Sequence, residues 1–348
     1  MVELAEQARK RFGDGMLRPA GETPPEELGR FGLEQVMDWI RRDLSELGVH
    51  YDHWYREQTV YEAGHYDKVM ALLRERKLIV EREGAVWFAT SQLGADKDEV
   101  VVRSTGVPTY LATDIGYHYD KFFVRNFDRV VDIWGADHQG HAIRLAVEAM
   151  GVEPERLTVI VGQLVTLRRG DEVLKISKRS GDIITLREVV DEVGRDACLY
   201  FFLSRSADVP IDFDLELAKQ QSAENPVYYI QYAHARIAGI LNTAREQKLD
   251  AEGGDTGLLT HPAELALIRK MLILPELMEL IARTLEPHHL PHYAQDLATS
   301  FHDFYEKCRV VDESNPDLSR ARLKLAGAAQ SVLATTLGLM GMSAPDRM

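Results

Sequence analysis

The sequence is poor in sulfur chemistry. Its 348 residues hold two cysteines, Cys198 and Cys308. Two isolated thiols build neither a disulfide framework nor a Cys-based zinc site, and they suit a reducing cytoplasm. No run of about 18 apolar residues is present, so nothing reads as a membrane span. The opening stretch from Val2 to Arg11 carries charges throughout, which excludes a secretory leader and fits an amphipathic helix. Positive charge is not in excess: 41 Lys and Arg against 55 Asp and Glu give a net charge of −14. That balance argues against indiscriminate nucleic-acid binding and confines any RNA contact to a local basic strip. Repeats and low-complexity tracts are also missing. What remains is the composition of a soluble globular enzyme, in a chain long enough for two or three domains.

Four stretches of different character follow one another. Residues 1–80 read as helices: Leu33, Val36, Met37, Ile40, Leu44 and Leu47 recur at helical spacing, and Gly48 ends the run. Between 79 and 104, short β-rich runs separated by charged turns predict a small hairpin insertion. From about 108 to 215, helix and strand alternate. Val130–Gly135 reads as a buried strand, Ala142–Met150 as the next helix and Leu157–Val161 as the next strand, which implies a βα crossover and a parallel sheet. From about 216 onward the pattern is helical, with Pro275 expected to kink or break one amphipathic run and 250–262 expected as an exposed loop.

Three constellations could carry chemistry. Lys175-Ile176-Ser177-Lys178-Arg179-Ser180-Gly181 sets two lysines three residues apart around a small hydroxyl. Such cations can follow a departing polyphosphate, with Gly181 giving the loop freedom, and a solvated turn is the plainer alternative. Gly135-Ala136-Asp137-His138-Gln139-Gly140-His141 follows a strand, where backbone can approach a nucleotide and His138 and His141 can donate or accept hydrogen bonds. A metal site there is disfavoured for want of a third strong ligand. On a helix, Tyr110 and Asp114 share a face at i and i+4 and would offer a phenol and a carboxylate to a guanidinium. An ordinary surface Asp beside a core Tyr is the plainer reading.

The lysine loop resembles the Lys-Met-Ser-Lys-Ser signature of class I aminoacyl-tRNA synthetases. With Tyr110–His118, Trp134–His138, Glu192–Ala197 and above all Gln221–Arg236, the chain resembles the arginyl-tRNA synthetase family along essentially its whole length. The resemblance implies a partial Rossmann-like α/β catalytic domain over 1–215, with a β insertion at 79–104 and a lysine loop at 168–183. An all-α anticodon-binding bundle would follow over 216–348. It implies an arginine pocket of Glu57, Tyr110, Asp114 and His138. Gly135, Asp137, His141, Lys175, Ser177 and Lys178 would take ATP, with Lys175 and Lys178 serving catalysis. Tyr228, Tyr229, Tyr232, His234 and Arg236 would meet tRNA, although domain core is favoured for at least two of those aromatics. Implied partners are L-arginine, ATP accompanied by Mg2+, and tRNA(Arg), in a cytoplasmic enzyme that is monomeric at full length and holds no metal of its own.

Two elements expected of the family are missing, its N-terminal domain that touches the corner of tRNA and the histidine signature after the first strand. The His-Ile-Gly-His type signature is absent, and Ala63-Gly64-His65-Tyr66 is the nearest string. The chain is therefore expected to be the later two-thirds of an arginine–tRNA ligase, weak or inactive alone. A natural paralogue that uses the pocket for another task and a non-catalytic tRNA-binding module are the alternatives.

Overall fold

The computed structural model describes residues 2–16, 18, 22, 25–136, 140–174 and 184–348. In chain order come helices α1 (Val2–Phe12), α2 (Glu26–Leu47), α3 (Gln58–Glu62) and α4 (His65–Glu75), then strands β1 (Ile79–Arg82), β2 (Ala85–Phe88) and β3 (Glu99–Val102). Next are α5 (Tyr110–Tyr119), β4 (Val130–Gly135), α6 (His141–Ala149), β5 (Leu157–Gly162), β6 (Val165–Arg169) and β7 (Glu172–Val173). After them stand α7 (Leu186–Val193), α8 (Arg195–Leu203), β8 (Ile211–Asp214) and α9 (Leu215–Lys219). The remainder is α10 (Pro226–Glu246), α11 (Pro262–Leu272), α12 (Leu274–Thr284), α13 (His289–Lys307) and α14 (Pro316–Leu339). No helix among the described residues is long and apolar enough to cross a membrane. The chain forms two compact units, 51–165 with 207–211, and 1–50 with 166–206 and 212–348.

In the first unit, β1, β2 and β3 form an antiparallel sheet in that order. β4 and β5 pair in parallel, Val130 opposite Leu157 through Gly135 opposite Gly162, and α6 makes the crossover. The alternation of strand and helix in the sequence predicts this arrangement. The core is a cluster that includes Val69, Leu73, Phe88, Ile115, Ile143 and Val147. β4 departs from the expected buried strand. Val130 and Asp132 point into the core, but Val131 is 38% and Ile133 75% exposed. A strand turns successive side chains to opposite faces, and only one face of this pair is covered.

α5 earns its close seat through Gly116. A Cβ there would lie 2.5 Å from Val60 Cγ1 and 3.5 Å from the Tyr66 backbone nitrogen. A π-helical turn, Asp120–Val124, continues α5 and gathers Asp120 and Lys121 beneath it. Tyr61 Oη and Thr113 Oγ1, 2.7 Å apart, fasten α5 to α3.

In the second unit, Phe12 packs edge-on against Phe31 with ring centroids 5.5 Å apart, joining α1 to α2. Gly48 ends α2 in the left-handed region at φ 82°. Arg195 Nε donates to the carbonyl of Leu47 at 3.0 Å, and Arg187 bonds Asp43 at 2.7 Å and also Glu46. α7 opens on a capping box made by Thr185 and Glu188. At the start of α10, the buried Asn225 accepts from Val227 N at 3.1 Å and donates to the carbonyls of Ala218 and Gln220, with Pro226 in the first turn. The bundle of α10, α11, α13 and α14 buries Ile230, Ile237, Leu267, Leu297, Phe301 and Leu333. The expected break occurs: Ile273 separates α11 from α12, and Pro275 falls in the first turn of the second helix.

Segment 343–346 is bound to α8 and α10. Gln231 Nε2 donates to Asp196 Oδ2 at 2.7 Å and to the Ser343 carbonyl at 3.0 Å, and Ser343 Oγ donates to the same carboxylate. His234 Nδ1 donates to the Pro345 carbonyl at 2.9 Å.

Two glycines in helices should respond oppositely to alanine. Gly116→Ala crowds Val60 and should cost about 1–2 kcal/mol net of its gain in helix propensity. Gly29→Ala in α2 meets nothing within 4 Å and should gain about 0.5–1 kcal/mol. Urea unfolding midpoints measure both.

Candidate active site

Tyr110 and Asp114 lie on the outward face of α5, as their spacing predicts, with Tyr110 77% exposed. Both line two clefts of the first unit. One, of about 440 Å3, is walled by Tyr51, Trp54, Tyr55, Glu57 and Tyr117. The other, of about 740 Å3, is walled by Lys97, Glu99, Trp134, Gly140 and His141. The smaller cleft combines two carboxylates with flat aromatic walls. Those surfaces suit a planar cation, which pairs with a carboxylate at its edge and stacks on rings across its face.

The floor of the smaller cleft is firm. Tyr55 stacks on Tyr117 with ring centroids 4.2 Å apart and planes at 24°. The Arg125 guanidinium lies 5.7 Å from the Tyr55 ring and 5.5 Å from the Tyr117 ring, and its Nε is 2.8 Å from Asp120 Oδ2. Burial, with the Asp120 carboxylate next in effect, pushes the Tyr55 phenol up to about 12. Tyr55 is therefore neutral at physiological pH and adds no charge to the cleft.

Beneath Asp114 runs a buried polar chain. His118 Nδ1 donates to the Asp114 carbonyl at 2.7 Å, and His118 Nε2 donates to Asp132 Oδ2 at 2.6 Å. Lys121 Nζ donates to Asp132 Oδ1 at 2.5 Å and lies 4.4 Å from the Tyr117 ring centroid. Burial drives the Asp132 carboxyl upward, but the contacts from His118 and Lys121 outweigh it and hold the group below its usual range.

Glu57 and Asp114 thus line one cleft, and Tyr110, Asp114 and His141 another. Gly135 is exposed at the end of β4. Asp137, His138, Lys175, Ser177 and Lys178 lie outside the described residues. Strand β7, which precedes the lysine loop, pairs with β6. Gly140 stands where a Cβ would be 2.8 Å from the Trp134 ring, so its smallness serves packing. The sequence reading overlooked Trp134, the Tyr55–Tyr117 stack and the His118–Asp132 pair. The aromatic run Tyr51-Asp52-His53-Trp54-Tyr55 was the available signal for part of this.

The aromatic residues of α10 occupy several settings. Tyr228 and Tyr232 lie with ring planes at 9° and centroids 6.0 Å apart. Arg236 lies 5.5 Å from the Tyr232 ring and 4.9 Å from that of Tyr305. Tyr232, Arg236, Tyr305, Arg309 and Arg347 line a groove of about 980 Å3. Tyr229 packs on His302 at 4.9 Å, where burial, aided by Arg236, holds the imidazole pKa below its ordinary value. His234 is buried and bonded to the Pro345 carbonyl, so its ring packs inside the domain and presents no face for a base.

Residues 26–236 match the model of the class I (R) tRNA synthetase catalytic domain, and residues 230–348 match the DALR anticodon-binding domain. The chain is 53% identical to an arginine–tRNA ligase of Dehalococcoides mccartyi over 350 residues, and 48% identical to one of Heliobacterium modesticaldum over 358. In both, the match takes in all of this chain and 63% of the relative, so the chain spans under two-thirds of their length. An arginyl-tRNA synthetase structure from Campylobacter jejuni superposes with a TM-score of 0.86 at 31% identity, covering 100% of this chain and 75% of that one. The Thermus thermophilus arginyl-tRNA synthetase shares the fold, with a TM-score of 0.73 at 22% identity over 100% of this chain and 66% of that one.

Asp132 gives a pH signature. Its folded pKa lies below the unfolded value of about 4, so its contribution to stability is complete above that value and is lost as pH falls through the folded one. Asp132→Asn should therefore lose stability less steeply than the native chain on acidification from about pH 5 to about pH 3, as read from urea midpoints across that series.

Proposed function

Because the chain belongs to the arginine-type class I aminoacyl-tRNA synthetases, we propose that the cleft beside Tyr110 and Asp114 takes the side chain of L-arginine and that the whole protein joins arginine to tRNA with ATP. The observation that carries this reading is the pairing of Asp114 and Glu57 in one aromatic-walled cleft. Asp114 receives the guanidinium, Tyr110 stands beside it, and Glu57 and His138 complete the pocket. Arginine's carboxylate attacks the α-phosphate of ATP, an oxygen–phosphorus bond forms and pyrophosphate leaves. A ribose hydroxyl of tRNA then attacks the arginyl carbonyl and AMP leaves.

Gly135, Asp137 and His141 lie along the nucleotide. Lys175, Ser177 and Lys178 follow the phosphates, where lysine point charges offset the charge growing on pyrophosphate. Mg2+ enters as the companion of ATP. The functional division falls near residue 216. Beyond it the bundle reads the anticodon stem and loop through Tyr228, Tyr229, Tyr232 and Arg236, with His234 supporting them from inside. Half-buried aromatic rings beside an exposed arginine suit unstacked bases. The enzyme works in the cytoplasm, as a monomer at full length.

Asp114→Asn should weaken arginine binding by about 2–5 kcal/mol, the cost of removing one member of a desolvated charge pair. Isothermal titration with L-arginine measures it, and an unchanged affinity takes Asp114 out of the pocket. Arg236→Ala should weaken tRNA transcript binding and make its salt dependence shallower in gel-shift series. Equal binding and slope would place the RNA elsewhere.

A further inference from the structure

We infer that His118, Lys121 and Asp132 are positioning residues for guanidinium recognition, a built-in mount that sets where the Asp114 carboxylate stands in its cleft. The inference rests on the reading of Asp114 as the guanidinium partner.

Three observations carry it. First, the chain of contacts ends on Asp114 itself: His118 Nδ1 takes the Asp114 backbone carbonyl at 2.7 Å. Second, the other end is fixed to the sheet. Asp132 belongs to β4 and accepts from His118 at 2.6 Å and from Lys121 at 2.5 Å. Third, the groups are buried: side-chain exposure is 2% for His118, 7% for Asp132 and 11% for Lys121. The Asp132 carboxylate thus meets a buried partner at each of its two oxygens.

An apolar contact would also hold a helix on a strand, but it would tolerate sliding and rotation. Directional bonds do not. Asp114 is carried by α5, so the place of its backbone follows from how that helix is held. The Tyr61–Thr113 contact fixes the neighbouring residue from the α3 side. A carboxylate must meet a guanidinium edge-on within a narrow range of angle and distance, and a mount that rotates by a fraction of a turn loses that fit.

The test compares L-arginine with L-citrulline, which has the same length but a neutral urea end. Affinities for both are measured on the 348-residue chain by titration calorimetry, for the native protein and for Asp114→Asn, His118→Gln, Asp132→Asn and Lys121→Met, well below each melting temperature. A general loss of folded protein lowers both affinities together, whereas a misplaced carboxylate lowers their ratio. The expected result is a native preference for arginine that Asp114→Asn abolishes and that His118→Gln and Asp132→Asn each reduce by about tenfold. Lys121→Met, at the rim of the network, supplies the measurement if either buried variant fails to fold, and it too should lower the ratio. An unchanged ratio in the folded network variants, with Asp114→Asn still abolishing the preference, overturns the mount and leaves the arginine pocket standing. A native chain without preference, or one indifferent to Asp114→Asn, overturns the pocket and the mount with it.

Discussion

A carboxylate placed inside a protein must be held or it destabilises the fold. Asp132 is such a group, and much of the first unit is arranged around it. His118 reaches it from α5, Lys121 from the π-helical turn, and Asp132 itself comes from the strand that also carries Trp134 and Gly135. One buried charge therefore ties α5 and its π-helical continuation to β4. Removing one partner of such a set leaves an uncompensated charge and costs about 3–5 kcal/mol. The π-helical turn carries both Asp120 and Lys121, of which Asp120 takes Arg125 and Lys121 takes Asp132.

The candidate site is an exposed face on a rigid backing. Tyr110, Asp114 and Glu57 meet solvent, while Thr113, Ile115, Gly116 and His118 are buried behind them. One ten-residue helix thus serves both recognition and support. This division suits a ligand that enters and leaves: the groups that meet it lie at the surface, and those behind them are buried.

Local features were legible in the sequence. The i, i+4 spacing of Tyr110 and Asp114, the parallel pairing of β4 with β5, the stop at Gly48 and the break near Pro275 all depend on neighbours a few residues away or on hydrophobic period. What was illegible depends on distance along the chain. The contact of Arg187 with Asp43 spans 144 residues, and that of Tyr61 with Thr113 spans 52. No periodicity encodes such partners. The one-sided burial of β4 was missed because its run of apolar residues carries no mark of which face lacks a cover, and Asp132 looks like an interruption until His118 is seen opposite. Gly140 shows the same limit: a glycine beside histidines suggests ligand approach, and its neighbour is the Trp134 ring.

The segment 343–346 has a practical consequence. Asp196 is shared by Gln231 and Ser343, and His234 holds Pro345. The last few residues are thus a splint laid across the first turns of α10, on the same helix as the tyrosines and Arg236. Cutting that segment away before Ser343 would leave the tyrosines in place and take from α10 the contacts that brace its first turns.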